Sequence, residues 1–477
     1  MTDQEPEESE YESRWWELDL RSLALFRVLL GLFVLLTLAS FWGDTSAFFT
    51  DAGVLPRVDL VESPYANLWL CFHMGSGTWL SQAFLNALLG FFAVGLMAGW
   101  RTPWMVAGCW ILLNSLQVRN PFVGDRGDLQ LSLMLFWAFF LPLGAAWSAD
   151  AKAGRTPWGK ERGLAAAALV TQFGLIYLFA AYYKNGPFWL TRGDGLEHSL
   201  ISPLFATDFS LWLAESAHGY LRLGNYSVIA GELFVAMLLL CPWTVGTVRP
   251  IAVALLLLFH LGVAALFQLG LFPWIGALLP LALLPKEFWE GWGRRLAAFG
   301  DRRFGEVRLV EPPLAWEKGR TVFLLGCLLL AVSSNFLGTP AGRSWGAPGW
   351  ISGVSDGLRL SQHWDLFSPI PPYYGTFRLQ TAGADAKPIF EGPPTREKPG
   401  LQPFPSHRWR MLMLASLYPT FSVIRPGVVK LLAQRAGVPE TQPLDYSFWA
   451  EIPDDRGKLK APEEWKLWVS QSQERAP

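Results

Sequence analysis

A single lysine, Lys184, ends an apolar segment that runs from Thr171 to Leu190 with the sequence TQFGLIYLFAAYYKNGPFWL. No charged residue lies in the two helical turns that precede it. An amine at the edge of an apolar helix is partly desolvated, which favours its neutral form and allows it to act as a base. The alternative is an anchor whose long side chain reaches the polar interface. Lys184 is therefore predicted to be either a catalytic base or an interfacial anchor.

Two more ionisable residues lie inside other apolar segments: Glu232 in GELFVAML and His260 in LLLLFHLGV. A carboxylate inside a membrane must be protonated, paired or hydrated, and an imidazole can donate or accept protons near neutral pH. We predict Lys184 and His260 as catalytic residues, with Glu232 in a supporting role. The six histidines show no HxxxH spacing, so no metal cofactor is expected.

A third group of polar residues occurs in RNPFVGDRGD, residues 119–128. It contains Asn120, Asp125 and Asp128, and we expect it at the mouth of a helical bundle, on the same side as Lys184. Solvated loop charges are one interpretation of this pattern. The other is an ion-paired cap over a cavity, in which these residues would support the catalytic ones.

The composition indicates which secondary structure carries these residues. Of 477 residues, 51% are hydrophobic and 17% charged, which is typical of membrane proteins. Apolar runs of about 20 residues, long enough to cross a bilayer, recur about nine times. The runs are Leu20–Trp42, Ser81–Trp100, Pro103–Val118, Leu129–Gly144, Leu164–Tyr183, Tyr226–Trp243, Pro250–Gly270, Leu271–Leu284 and Thr321–Gly338. We predict an all-α polytopic membrane bundle of about 8–9 transmembrane helices, together with a small C-terminal α+β extramembrane domain.

The run Leu271–Leu284 is the least regular, because Phe-Pro-Trp interrupts it at residues 272–274. A re-entrant segment is the alternative to a spanning one. Lysine and arginine concentrate in two loops, 152–162 and 286–320, which are both expected to be cytoplasmic. Only a spanning Leu271–Leu284 keeps both loops on one side, so we predict that it spans.

This topology gives a cytoplasmic N-terminus and three parts of the chain. They are a disordered arm over residues 1–14, a transmembrane domain over 15–338 and an extracytoplasmic domain over 339–477. Within the last, YYGTFRLQTAG and PIFEG indicate strands, whereas Trp409–Arg435 and Tyr446–Ser470 indicate amphipathic helices.

Charge and cysteine content exclude other classes of protein. The net charge of −1 and the absence of a phosphate-binding glycine loop argue against a nucleic-acid partner. The four cysteines do not form a disulfide framework, since three of them fall within or at the end of apolar runs. The lipid bilayer is the expected partner.

Several motifs in order resemble one family. They are DAGVLPR, the Arg-Asn-Pro loop, FWAFFLPLGAAWSAD, YYKNGPFW, FHLGVAALFQLGLFPW and SQHWDLFSPIPP. Together they resemble the HTTM domain family, whose members are membrane proteins similar to the vitamin K-dependent gamma-carboxylases. The resemblance extends over Trp15–Pro372.

The resemblance implies roles for particular residues. Lys184 and Trp189 look like the carboxylase lysine, taken as the base that deprotonates reduced vitamin K, and the tryptophan that follows it. A shared Phe-His step places His260 in the same site. Reduced vitamin K or menaquinone would then be the cofactor, a peptide or protein the substrate, and the bacterial inner membrane the location. Asn120 is followed by Pro121 where the carboxylases have a histidine. The tail is also shorter than their lumenal domain.

Three functions follow as hypotheses. The first is a quinol-linked, carboxylase-like enzyme that modifies peptides. The second is a non-enzymatic membrane factor for the maturation or export of a secreted peptide. The third is a transporter or lipid-handling protein, against which the absence of an obvious inverted repeat argues.

Overall fold

The computed structural model describes residues 14–66, 69–155, 162–202, 204–304, 313–346, 348–368, 374–383, 386–392, 406–439, 442–451 and 461–469. The predicted N-terminal arm, apart from Arg14, lies outside these residues.

Helices dominate the described chain. The first ten are α1 (Leu20–Trp42), α2 (Thr45–Phe49), α3 (Arg57–Glu62), α4 (Trp79–Ala98), α5 (Thr102–Arg119), α6 (Arg126–Ala138), α7 (Ala149–Lys152), α8 (Leu164–Tyr183), α9 (Gly195–Leu200) and α10 (Asp208–Ser216). The others are α11 (His218–Leu240), α12 (Val245–Leu266), α13 (Phe272–Leu278), α14 (Lys286–Glu290), α15 (Arg294–Phe304), α16 (Leu314–Leu337), α17 (Pro340–Ser344), α18 (Gly349–Gly357), α19 (His407–Leu417) and α20 (Arg425–Arg435).

Six helices of the described chain are long and apolar enough to cross a membrane: α1, α4, α8, α11, α12 and α16. The sharply bent pair formed by α19 and the segment Pro419–Arg435 would make seven if it were one span. The predicted helical membrane bundle is confirmed. Three of the nine predicted spans are missing from this set, because α6 and α13 are too short and α5, with 18 residues, is not apolar enough.

The short helix α6 lies inside the bundle, and α13 is also largely enclosed, with Trp274 as its exposed residue. Every residue from Gly127 to Ala138 is buried except Leu129, which is half-buried. In α13 the buried residues are Pro273, Ile275, Gly276 and Ala277. A helix enclosed by longer helices need not match the thickness of the hydrocarbon core, because protein rather than lipid covers its ends.

Contacts between distant segments define two ends of the bundle. At the first end, Arg249 donates to the carbonyl of Glu17 at 2.8 Å, and Trp147 donates to Asp301 at 3.0 Å. At the second end, Arg435 of α20 pairs with Asp44 at 3.1 Å. The N-terminal residues and the described parts of both basic loops therefore share the first end, and the C-terminal helices lie at the second.

The segment Leu271–Leu284 connects these two ends. Phe272 packs against Gly127 at the second end, while the carbonyl of Leu284 accepts a hydrogen bond of 2.6 Å from Ser22 at the first. Between them lie α13 and a 3₁₀ turn, Leu279–Leu283, which together extend roughly 20 Å. The segment passes through the protein interior without being a full-length membrane helix.

The C-terminal part carries the one sheet of the described chain. Its strands are β1 (Tyr374–Thr381), β2 (Pro388–Gly392), β3 (Leu444–Glu451) and β4 (Glu463–Val469), in the antiparallel order β2-β1-β3-β4. The prediction of strands in YYGTFRLQTAG and PIFEG is confirmed by β1 and β2. The prediction of a helix over Tyr446–Ser470 is wrong: Tyr446, Phe448 and Ala450 are buried at every second position, which is the period of a strand.

The tail packs directly on the bundle. Trp409 of α19 is fully buried, and its ring lies 5.1 Å from that of Phe48. The guanidinium of Arg408 lies 4.2 Å from the ring centre of Phe41, at the end of α1. These contacts fix the orientation of α19 over the second end of the bundle.

Candidate active site

Lys184 is the residue that ends α8, and its side chain points into the bundle. Its Nζ lies 2.7 Å and 2.9 Å from the two carboxylate oxygens of Glu232 on α11, and it also donates to the carbonyl of Ala180 at 3.2 Å. Both side chains are only 6% exposed. Lys184 is therefore a buried ion-pair partner, which differs from a snorkelling anchor.

Trp189 covers the same amine. Its ring centre lies 5.4 Å from Nζ of Lys184, close enough for a cation-π interaction. Its indole nitrogen donates to the carbonyl of Phe367 at 2.9 Å, and its carbonyl accepts from Asn225 at 2.8 Å. Gly195 packs flat on this ring, where a Cβ would lie 2.6 Å from the indole. The tryptophan is thus held over the lysine from three directions.

His260 lies on α12, and Tyr177 of α8 is its partner. The Tyr177 hydroxyl and Nε2 of His260 share a hydrogen bond of 2.9 Å. Nδ1 of His260 is buried and has no hydrogen-bond partner among the described residues. Gly276 of α13 packs against the ring, where a Cβ would lie 2.1 Å from Cε1 of His260. Glycine at position 276 therefore makes room for the imidazole.

An apolar cavity of about 390 Å³ joins these groups. Lys184, Glu232, Tyr177, His260 and Trp189 all line it. Most of the remaining wall is hydrocarbon, from residues such as Ile176, Val228, Leu258, Phe259, Val263 and Leu266. The structure thus brings the two predicted catalytic residues, Lys184 and His260, to one cavity. Glu232, on α11, lines the same cavity.

A second, more polar cavity of about 560 Å³ adjoins the first. A non-helical segment that we call the strap, residues 359–368, forms the wall between them. Ser361, His363 and Asp365 face the polar cavity, Trp364 faces the apolar one, and Leu366 and Phe367 line both.

The strap penetrates the bundle. Gln362 accepts a hydrogen bond of 2.7 Å from Gln172, which lies near the middle of α8, about 18 Å along the helix from Lys184. Trp364 donates to the same oxygen of Gln362 at 2.7 Å. Leu360, Gln362 and Trp364 are almost completely buried. Such a non-helical segment is tolerated inside a membrane protein because other protein elements surround it.

Asp125 and Asp128 lie at the start of α6, where each accepts the backbone N–H of the other in a capping box. His407 donates to Asp125 at 3.0 Å, and Arg408 forms a bidentate pair with Asp128. Burial opposes the charge on Asp125, but Arg408 and His407 hold the pKa of this carboxyl well below its usual range. Both carboxylates line the polar cavity, so the ion-paired cap is the interpretation that the geometry favours.

Asn120 is not brought to either cavity. Its side chain donates to the carbonyl of Phe48 at 2.9 Å and accepts from the N–H of Phe122 at 3.2 Å. It is completely buried, so its visible role is to fix the turn between α5 and α6.

Sequence reasoning did not identify Tyr177, the strap or α19 as parts of the site. Tyr177 lies seven residues before Lys184, on the same face of α8, which is a signal that the helical period contains. Most of the strap lies in the motif SQHWDLFSP, residues 361–369, which by itself indicates no secondary structure. Among the described residues, no group of three potential ligands lies close enough to hold a metal ion.

In a comparison with protein families, the model described as HTTM domain matches residues 15–289, more than half of the chain. No curated protein and no solved structure matches the chain. The matched region includes Lys184, Glu232 and His260 but ends before the strap.

Proposed function

Because the chain belongs to the HTTM domain family, we propose that it is an integral membrane enzyme that binds a lipid-soluble quinol and couples its oxidation to the modification of a peptide or protein. The observation that supports this function is the apolar cavity that Lys184, Glu232, Tyr177, His260 and Trp189 line together. A hydrocarbon wall suits a lipidic ring, and the few polar groups would orient its hydroxyls.

The Lys184–Glu232 pair would act as the base. In an apolar cavity the ion pair and the neutral amine–carboxylic acid pair have the same net charge, so a proton can pass between them without exposing an isolated charge. Whichever partner receives a hydroxyl proton from the ligand, the end state is the same. It is a Lys184 ammonium and a Glu232 carboxylic acid, with the cation beside the anionic ligand oxygen.

His260 would orient the ligand. Its Nε2 is engaged by Tyr177, so Nδ1 is the ring atom left to hydrogen-bond a ligand oxygen. Tyr177 thereby fixes the orientation of the imidazole ring. Phe272, whose ring lies 5.5 Å from that of His260, restricts the imidazole from the other side.

The ligand would reach the cavity from the bilayer. Leu258 lines the cavity and is 66% exposed on the surface of α12, which is one of the long apolar helices. Gly262, one turn further along the same helix, also lines the cavity and leaves space beside it. Lateral access between α11 and α12 therefore fits a molecule that is dissolved in lipid.

Reduced vitamin K or menaquinone is the proposed cofactor; its oxidation by oxygen would supply a base strong enough to remove an unactivated proton from the substrate, and carbon dioxide would then add at that carbon. Carboxylation of the substrate is the carboxylase-like version of this function. The protein's contribution is to exclude water, since Trp189, the strap and α13 close the cavity on the sides away from lipid.

We further propose that the first end of the bundle faces the cytoplasm of a bacterial inner membrane. That end carries the described arginines and lysines of both basic loops, which the positive-inside rule assigns to the cytoplasm. The polar cavity, α19 and the sheet would then be extracytoplasmic.

The test is epoxidation of the quinol by the purified protein, with reduced vitamin K or menaquinone, oxygen and a peptide that contains glutamate. Lys184→Ala and Glu232→Gln should both abolish it, whereas Lys387→Ala, a lysine of the sheet region, should leave it unchanged. No epoxidation by the wild type, in a preparation shown to be folded and to bind the quinone, would contradict the enzyme. It would instead favour the maturation factor.

A further inference from the structure

The polar cavity contains an arginine that forms no ion pair with the described residues. Arg359 donates from Nε to the Asn114 side chain at 3.0 Å and from Nη2 to Gln117 at 3.3 Å. Both partners are neutral amides. The other arginine of this wall, Arg126, is paired with Asp365. Burial of a guanidinium without a carboxylate partner leaves its positive charge uncompensated, so an anionic ligand would be stabilised beside it.

The amides hold Arg359 in place rather than neutralise it. Asn114 is itself fixed by a 2.7 Å bond to the carbonyl of Trp110, and Gln117 by a 3.1 Å bond to the carbonyl of Asp128. Nη1 of Arg359 forms no hydrogen bond to any described residue, although the side chain lines the cavity. Nε and Nη2 of Arg359 are thus anchored by the two amides, and the hydrogens on Nη1 remain available to a ligand.

The backbone of Arg359 is also unusual. Its φ is +58°, a left-handed conformation that is unfavourable for a residue with a side chain. A 2.7 Å hydrogen bond from the N–H of Leu360 to the carbonyl of Ser355 stabilises this turn. The turn is the Schellman motif that ends α18, and it sets the direction in which the strap leaves this helix.

We propose that the polar cavity binds an oxyanion, a carboxylate or a phosphate, through Arg359. Arginine suits such ligands because its planar fork can donate two parallel hydrogen bonds. Ser361 and His363 follow on the strap and line the same cavity, where they supply further polar contacts. The carboxylates of the cavity do not compete for Arg359, because Asp125 and Asp128 are engaged by His407 and Arg408 and Asp365 by Arg126.

This site is separate from the apolar cavity and does not depend on quinol chemistry. If the proposed function holds, the bound anion lies across the strap from the quinol, in the position of a second substrate. The anion site is therefore tested by binding alone, so that its failure and the failure of the enzyme are distinguishable.

The experiment is calorimetric titration of the purified full-length protein, without quinol, with a blocked acidic peptide in one arm and inorganic phosphate in the other. The proposal expects saturable binding in at least one arm, and the arm identifies the class of oxyanion. Arg359→Gln should weaken binding about tenfold or more, since it removes a charge-assisted contact. Arg378→Gln, an arginine on the sheet, is the matched control and should bind as the wild type does.

A labelling experiment and a second substitution of Arg359 complete the test. Ser361→Cys, in a background without other cysteines, should react with a small thiol reagent and be protected by the anion, which places the ligand in the polar cavity. If Arg359→Gln does not purify as a folded protein, Arg359→Lys replaces it, because it keeps the charge but loses the fork. Binding by either variant at the wild-type affinity, or no saturable binding by the wild type in either arm, overturns the proposal.

Discussion

The amine of Lys184 and the carboxylate of Glu232 form a two-pronged ion pair between α8 and α11, 48 residues apart in sequence. Both side chains are buried, so neither charge has water to replace its partner. This makes the two residues dependent on each other for stability as well as for any proton transfer.

Single replacements of this pair should therefore destabilise the protein more than the double replacement does. Lys184→Met or Glu232→Gln alone leaves a buried charge or an unsatisfied amine, and we expect a loss of about 3–5 kcal/mol. The double variant leaves no buried charge and no unsatisfied amine. Its loss in free energy of unfolding should be clearly smaller than the sum of the two single losses. Unfolding in mixed micelles measures all four proteins, and additive losses would show that the two side chains are not coupled.

Gly276→Ala should displace the imidazole of His260. The added methyl group would lie 2.1 Å from Cε1 of His260, so the ring must move. A shift of about 1 Å in a positioning group can reduce turnover about 100-fold, and we expect a loss of this order in quinol epoxidation.

The control for that variant is Gly326→Ala. Gly326 lies on the long helix α16, and a Cβ there would meet no atom within 4 Å. It should retain wild-type activity. Equal activity of both variants would show that the position of His260 does not matter to the reaction.

The contact between α19 and α6 should weaken at acid pH, because Asp125 becomes protonated. Its pKa in the folded protein is lowered, because the Arg408 charge and the His407 hydrogen bond outweigh burial. A carboxyl group of this kind contributes stability above its unfolded pKa of about 3.9 and loses that contribution as pH falls toward its folded pKa.

Asp125→Asn should accordingly be less stable than the wild type at pH 7, with a difference that shrinks below about pH 4. Melting temperatures of both proteins between pH 3 and pH 7 measure this. A difference that stays constant over the whole range would assign the effect to packing rather than to charge.

The orientation of the bundle predicts which exposed sites are reachable from outside the cell. Glu62 and Glu290 are exposed glutamates at the second and first ends of the bundle, respectively. In a cysteine-free background, Glu62→Cys should react with a membrane-impermeant maleimide on intact cells, and Glu290→Cys only after lysis. The reverse pattern would invert the topology.

Much of the bundle could be predicted because a membrane helix is a local property of sequence. A run of apolar residues of bilayer length identifies it without knowledge of its neighbours. Lys184, Glu232 and His260 were identifiable for the same reason, as rare ionisable residues in such runs. The pairing of Lys184 with Glu232 was not identifiable, because it depends on the packing of α8 against α11.

The C-terminal part was harder because its elements depend on partners. The segment Tyr446–Ser470 is amphipathic in either period, and strand pairing decides its structure: β3 pairs with β1, and β4 pairs with β3. Buried and cavity-facing residues alternate along the strap, but the buried ones include the polar Gln362, whose partners Gln172 and Trp364 are known only from the fold. Polar pairings of this kind are tertiary, so one sequence does not reveal them.

The strap also sets an order for the biogenesis of the protein. It follows α16, the last of the six long membrane helices, and it forms one wall of the apolar cavity. A nascent chain that has already inserted Lys184, Glu232 and His260 thus still has an open cavity, and any ligand bound there is exposed to water. The site is complete only when residues beyond 360 leave the ribosome and fold back against α8. If the proposed function holds, no reaction can begin before the whole chain has assembled.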